Sequence, residues 1–177
     1  MKTMLGRRWL CFGAVAALGG CGFQPVYMPT ASNKPGVAQR ELQSVFVGVI
    51  PERPGQILRQ ALQERFGNDS GTPSAYDLQV AFGVAGEGIA IEADSISTRL
   101  RLTGNATWTL TAHDAKRTAL TTGSARSIDG INIIGAQYFA ADMESEAVQT
   151  RIAQNIADQI TTQLALWFRK RAAQQTG

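Results

Sequence analysis

Cys21 is the residue whose type and setting most directly specify a reaction. It closes the run Leu18-Gly19-Gly20-Cys21. Small residues there let the backbone enter a peptidase site, and the thiol accepts a diacylglycerol before cleavage. The preceding residues have the three-part order of an export signal. Lys2, Arg7 and Arg8 give a basic start, and Trp9 to Leu18 (WLCFGAVAAL) is an apolar run of ten residues. That is half of the roughly 20 residues needed to span a bilayer as a helix, which favours a cleaved signal over a permanent anchor. Residues 1–20 therefore read as a lipoprotein signal peptide, and the mature chain begins at a lipid-bearing Cys21. One acyl chain holds a protein to a membrane only marginally, whereas two or more hold it stably; a lipoprotein cysteine usually carries three. Gly22 stands where an Asp commonly marks retention in the inner membrane, which favours the outer membrane.

Other chemistry is hard to find. His113 is the single histidine and lies in an expected turn beside Asp114. No G-x-S-x-G or S-x-x-K nucleophile signature occurs, and neither do H-E-x-x-H, a P-loop or a dinucleotide fingerprint. The glycine-rich stretch from Gly83 to Gly88 closes a strand pattern rather than opening a helix, so it lacks the context for phosphate binding. The chain reads as non-enzymatic, with no metal and no cofactor beyond the covalent lipid on Cys21. Arg99 and Arg101 share one side of an alternating segment, and Lys116 and Arg117 occupy the turn that follows. Arginine pairs bidentately with phosphate, so these four could meet an anionic lipid. The plainer alternative is an ordinary solvated sheet face.

Signal cleavage changes the meaning of the composition. Lys2, Arg7 and Arg8 account for three of the 17 basic residues, so the mature chain carries 14 against 14 acidic. The basic excess belongs to the signal and implies no nucleic-acid partner. Cys11 leaves with the signal and Cys21 takes lipid, so no thiol remains for a disulfide or a metal cluster.

The elements that must position these residues follow from periodicity. Residues 21–40 contain Pro25, Pro29 and Pro35 with no apolar period, and they predict an extended, lipidated tether. Residues 41–172 suit a single domain, with 173–177 as a disordered tail. Val45 to Ile50 predicts a buried strand. A helix opens at Pro54, with Ile57, Leu58, Ala61, Leu62 and Phe66 on one stripe, and stops at Gly67 to Gly71. Leu78, Val80, Phe82 and Val84 alternate with Asp77, Gln79, Ala81 and Gly83. Parity flips after Gly86-Glu87-Gly88, which predicts a bulge or break there. From Thr98, apolar Leu100, Leu102, Ala106, Trp108 and Leu110 alternate with Arg99, Arg101, Thr103, Asn105, Thr107 and Thr109. A weaker strand spans Thr118 to Ile128, and a long helix runs from about Ala141 to Ala172. Its stripe is Val148, Ile152, Ile156, Ile160, Leu164, Trp167 and Phe168. This order predicts an α+β two-layer sandwich, with two helices on one face of a four-stranded mixed sheet. The first strand can pair in parallel because a helix precedes the next.

The run Cys21-Gly22-Phe23-Gln24-Pro25-Val26-Tyr27 resembles the mature start of the LPS-assembly lipoproteins of the LptE type. The order of elements is similar across nearly the whole chain, as is Phe139-Ala140-Ala141-Asp142 leading into the last helix. The resemblance implies an outer-membrane lipoprotein in the lumen of the large LPS-assembly β-barrel (LptD type). It would act there as plug and assembly factor and bind LPS during insertion into the outer leaflet. Arg99, Arg101, Lys116 and Arg117 would then be candidates for LPS or barrel-wall contact. One departure is that Ile128-Asp129-Gly130 stands where the resemblance implies an aromatic–Asn pair in a loop after the last strand. A lipoprotein of a lipid-transport ABC system is the competing reading, and an envelope hydrolase a third, against which the missing nucleophile and base argue.

Overall fold

The computed structural model describes residues 36–67, 73–91, 97–132 and 138–175; Cys21, the signal segment and most of the expected tether lie outside them. The described elements are α1 (Val37–Gln43), β1 (Val45–Val47), α2 (Glu52–Phe66), β2 (Tyr76–Ile91), β3 (Ser97–Ala112), β4 (Ala119–Asn132) and α3 (Tyr138–Gln175). The sheet has the order β1-β2-β3-β4. β1 runs parallel to β2, with Val45 opposite Tyr76 and Val47 opposite Leu78, and the other pairs are antiparallel. This is the expected α+β arrangement, and the parallel first pair follows from the intervening α2.

Strand alternation decides what the helices cover. Leu78, Val80, Leu102, Ala106, Trp108, Leu110, Ala125 and Ile131 are buried on the inner face. From α3, Val148, Ile152, Ile156, Ile160, Leu164 and Phe168 meet them in one core, and from α2, Leu58, Leu62 and Phe66 do so. Beside the large stripe of α3 runs a buried row of small residues, Ala153, Ala157, Thr161 and Ala165. Small side chains at a contact let helix axes approach closely. There α2 is clamped: Arg65 donates to Asp158 through Nε (2.6 Å) and Nη2 (3.1 Å), and to the Gln154 carbonyl. Pro54 sits in the first turn of α2, where its missing N–H has no intrahelical partner. Gly67 ends the helix in the left-handed conformation that glycine adopts without penalty.

Several boundaries differ from the sequence expectation: β1 ends at Val47 rather than Ile50, with Phe46 and Val49 exposed, and α2 opens at Glu52, two residues before Pro54. Residues 37–40, expected as extended tether, belong to α1, because Ala38 and Leu42 fall one turn apart and both enter the core. The proline content of the segment hid this i, i+4 pair. α3 continues through Gln175, so residues 173–175 are helix rather than disordered tail. β4 continues to Asn132, so Ile128-Asp129-Gly130 lies within a strand and not in a loop. The expected distortion near Gly88 is present: the β2–β3 register shifts between Gly88 and Ala90 and again before Ile91.

Candidate functional site

With the helices on one side, the opposite sheet face carries no helix among the described residues. Its surface follows from the register. β3 contributes Arg99, Arg101, Thr103, Asn105, Thr107 and Thr109; beside them lie Gln79, Ala81, Gly83, Ala85 and Glu87 of β2, and Thr122, Ser124, Arg126 and Ile128 of β4. Hydroxyls, amides and small residues dominate, with apolar points at Ile128 (54% exposed) and Phe46 of β1 (45% exposed). Where β1 ends, an open cleft of about 500 Å³ is lined by Gly48, Val49, Gln79, Val80, Ala81, Thr107 and Thr109.

The four candidate cations are all exposed, but the fold does not bring them together. Arg101 lies between Glu87 and Gly130, and Arg99 between Ala90 and Asn132, at the start of β3. Lys116 and Arg117 sit in the turn beyond Ala112, at its far end. At ~3.3 Å per residue the two pairs are about 40 Å apart. The turn itself is fixed by Asp114, whose carbonyl accepts from the Arg117 N–H at 3.1 Å. Arg117 adopts a left-handed φ of 46°. Sequence reasoning missed Arg126, which is exposed opposite Asn105, midway along the same face. The signal was present in the alternation of Thr122, Ser124 and Arg126 with Gly123, Ala125 and Ser127, but the small residues make it faint.

Cations on the helix side have other work. Arg53 pairs with Glu146, and Arg151 Nε donates to Asp129 at 2.7 Å. The Arg171 guanidinium lies 5.3 Å from the Trp167 ring centroid and 6.0 Å from that of Tyr76. Tyr76 donates its hydroxyl to Glu41 at 2.9 Å; burial and this acidic neighbour raise its pKa. Arg171, within α3, thus stacks on ring faces; the last turn of that helix carries no basic residue because it continues to Gln175. Trp108 is core, as its parity requires, and its Nε1 donates to Gln163 at 3.2 Å. His113 is 57% exposed, and its Nδ1 lies 2.9 Å from Asp77, tying the end of β3 to β2. Among the described residues no group of three or more His, Cys, Asp or Glu could hold a metal, and no helix is long and apolar enough to cross a membrane.

The Arg151 hydrogen bond holds the Asp129 carboxyl below its ordinary pKa. A depressed carboxyl stabilises the fold above its unfolded pKa, near 3.9, and that contribution is lost as pH falls through the lower folded value. Asp129→Asn should therefore be less stable than the parent at neutral pH, with the gap closing in acid. Urea midpoints from pH 7 to pH 2 check this, and a constant gap would assign the effect to packing instead.

A family model described as lipopolysaccharide-assembly, LptE, matches residues 42–164. No curated protein matches the chain in sequence. Among solved structures, a chain from Caulobacter crescentus CB15 described as a lipoprotein is similar at 24% identity. The match has a TM-score of 0.61 and covers 75% of this chain and 96% of that one. Rare lipoprotein B from Shewanella oneidensis is similar in fold at 12% identity and TM-score 0.55, over 73% of this chain and 97% of that one. A minor lipoprotein from Acinetobacter baumannii gives 14% and 0.52, over 70% and 92%. With the family match spanning β1 through most of α3, the chain belongs to the LptE lipopolysaccharide-assembly family, whose members are non-enzymatic, outer-membrane-associated lipoproteins.

Proposed function

We propose that this chain is an outer-membrane lipoprotein, anchored through lipid on Cys21, that binds and plugs the LPS-assembly β-barrel of the LptD type. There it assists LPS insertion into the outer leaflet. The observation that carries this reading is the family match over residues 42–164. The sheet face supports it physically. A surface of Thr, Ser, Asn and Gln that no described helix covers suits the polar interior of a large transmembrane barrel, and Arg99, Arg101, Lys116 and Arg117 offer donors to LPS phosphates. The direct test is a pull-down of the tagged, lipidated chain from detergent-solubilised outer membranes, with partners identified by mass spectrometry. A stoichiometric large β-barrel is expected. Inner-membrane transporter subunits in its place would move the chain to a lipid-transport ABC system.

The separation of the two cation pairs sharpens the LPS expectation. Two sites about 40 Å apart along a strand share no partner on the protein, so their effects should add. Neutralising Arg99 with Arg101, or Lys116 with Arg117, should each weaken binding of purified LPS, and the fourfold variant should lose the product of the two factors. Unchanged binding in all three, with the fold intact, would return these residues to the solvated-face reading.

A further inference from the structure

The mature chain carries equal numbers of basic and acidic residues, but the fold does not spread them evenly. Four elements meet at one end of the sheet. Tyr76 opens β2 opposite Ala112, and the β3–β4 turn follows Ala112. α1 reaches this end through Glu41, which accepts from the Tyr76 hydroxyl, and α3 through Phe168, whose ring centroid lies 5.1 Å from that of Tyr76. Among the described residues these elements gather Arg40, Lys116, Arg117, Arg169, Lys170 and Arg171 there, against Glu41, Asp77 and Asp114. The three carboxylates are engaged within the domain: Glu41 by Tyr76, Asp77 by His113, and Asp114 by the Thr118 N–H at 3.4 Å. Arg40, Lys116, Arg117 and Lys170 are exposed, and no salt bridge among the described residues holds them. Leu166, 50% exposed, lies one helical turn before Lys170 on the same face of α3.

The chain leaves toward Cys21 from this end as well. Gly36 caps α1 five residues before Glu41, so at ~1.5 Å per residue it lies within about 8 Å of the Tyr76 contact along the helix. We propose that this end docks on the anionic phospholipid headgroups of the leaflet that holds the lipid on Cys21. Acyl chains and a basic surface then act as two membrane signals on one protein. Each Lys or Arg near an anionic surface adds attraction, which fades within a Debye length, and phosphate accepts strongly from guanidinium and ammonium groups. Arg99 and Arg101, about 40 Å away along β3, cannot reach the same surface, so the domain stands end-on. The proposal rests on the Cys21 anchor and is compatible with one copy in a barrel. A tether from this end reaches the leaflet through the periplasmic mouth, beside which the same headgroups lie.

The test places the full lipidated chain in phosphatidylcholine–phosphatidylglycerol vesicles that carry a spin-labelled headgroup lipid. With Cys21 acylated, Ala115→Cys in the turn or Ala85→Cys, about 30 Å up β2 from Tyr76, takes a fluorophore alone. The Ala115 label should be quenched and the Ala85 label should not, and quenching should vanish in pure phosphatidylcholine or in high salt. At about fivefold for each cation, Lys116→Gln with Arg117→Gln and Lys170→Gln should weaken docking on the order of a hundredfold, with circular dichroism unchanged. Vesicle flotation separates docking from anchoring. A chain that fails to float overturns the anchor and this proposal with it. A chain that floats with the Ala115 label unquenched, or with both labels quenched equally, overturns the docking alone. So does quenching that survives the triple variant, or that appears only once LPS is added to the vesicles.

Discussion

Gly123→Ala should destabilise the domain by about 3 kcal/mol, the upper range for overpacking a filled core. A Cβ at this position would sit 2.4 Å from Trp108 Cζ2, 2.7 Å from Cε2 and 2.8 Å from Gln163 Oε1. None of these can retreat cheaply. The indole is rigid and 4% exposed, and its N–H is held by the same Gln163 oxygen. Gln163 in turn donates to the Ser124 carbonyl, so moving it releases the edge of β4 as well. Gly104 is the milder counterpart. Its Cβ would fall 2.3 Å from Ile152 Cγ2 and 3.1 Å from Ile156 Cδ1. These are side-chain ends, but Ile152 is fully buried, and a β-branched residue in a helix has one strongly preferred rotamer. Gly104→Ala should cost roughly 1–3 kcal/mol. Ile152→Ala should cost roughly 2–5 kcal/mol by cavity formation. Because the two changes relieve one another, the double variant should lose clearly less than the sum. Urea unfolding of the four proteins measures this. Strict additivity would mean that α3 does not cross β3 at Gly104, and an unchanged midpoint for Gly123→Ala would remove the indole from above β4.

Cys21→Ala should abolish processing altogether. Without the thiol there is no diacylglycerol adduct, and the lipoprotein peptidase then has no substrate; the chain should accumulate at precursor mass, retaining Lys2, Arg7 and Arg8. Labelled palmitate should enter the parent and not the variant. Fractionation should find the variant depleted from the outer membrane, because the two or more acyl chains needed for durable anchoring are never added. A variant that is cleaved and acylated normally would refute the lipobox reading, whatever the domain does.

Residue order alone carries the layers of this protein. Strict alternation in β3 and the apolar stripe of α3 specify one buried face each, and two one-sided layers can only bury each other. Hence the sandwich, the core position of Trp108 and the parallel first strand were legible from local patterns of period 2 and 3.6. The same locality explains what was not. α1 is a single i, i+4 pair, Ala38 and Leu42, too short to show a period, and α3 of this chain supplies the surface that makes it worth forming. Arg126 became visible as a surface cation only once the β3–β4 register placed it opposite Asn105.

The candidate site divides along the same line. Cys21 and the lipobox we propose are contiguous, because a peptidase reads an extended segment, so that proposal rests on sequence without any fold. Arg99, Arg101, Lys116 and Arg117 looked like neighbours because few residues separate them. A strand adds ~3.3 Å for every residue, so β3 carries the two pairs to opposite ends of the sheet. Which edge is sealed was likewise beyond any local pattern, since Gln159 and Gln163 reach β4 from more than thirty residues away. Sequence determined which faces are apolar and singled out Cys21 as the proposed lipid site; only the tertiary structure decided which polar groups stand together, because distance across a sheet is set by register rather than by position in the chain.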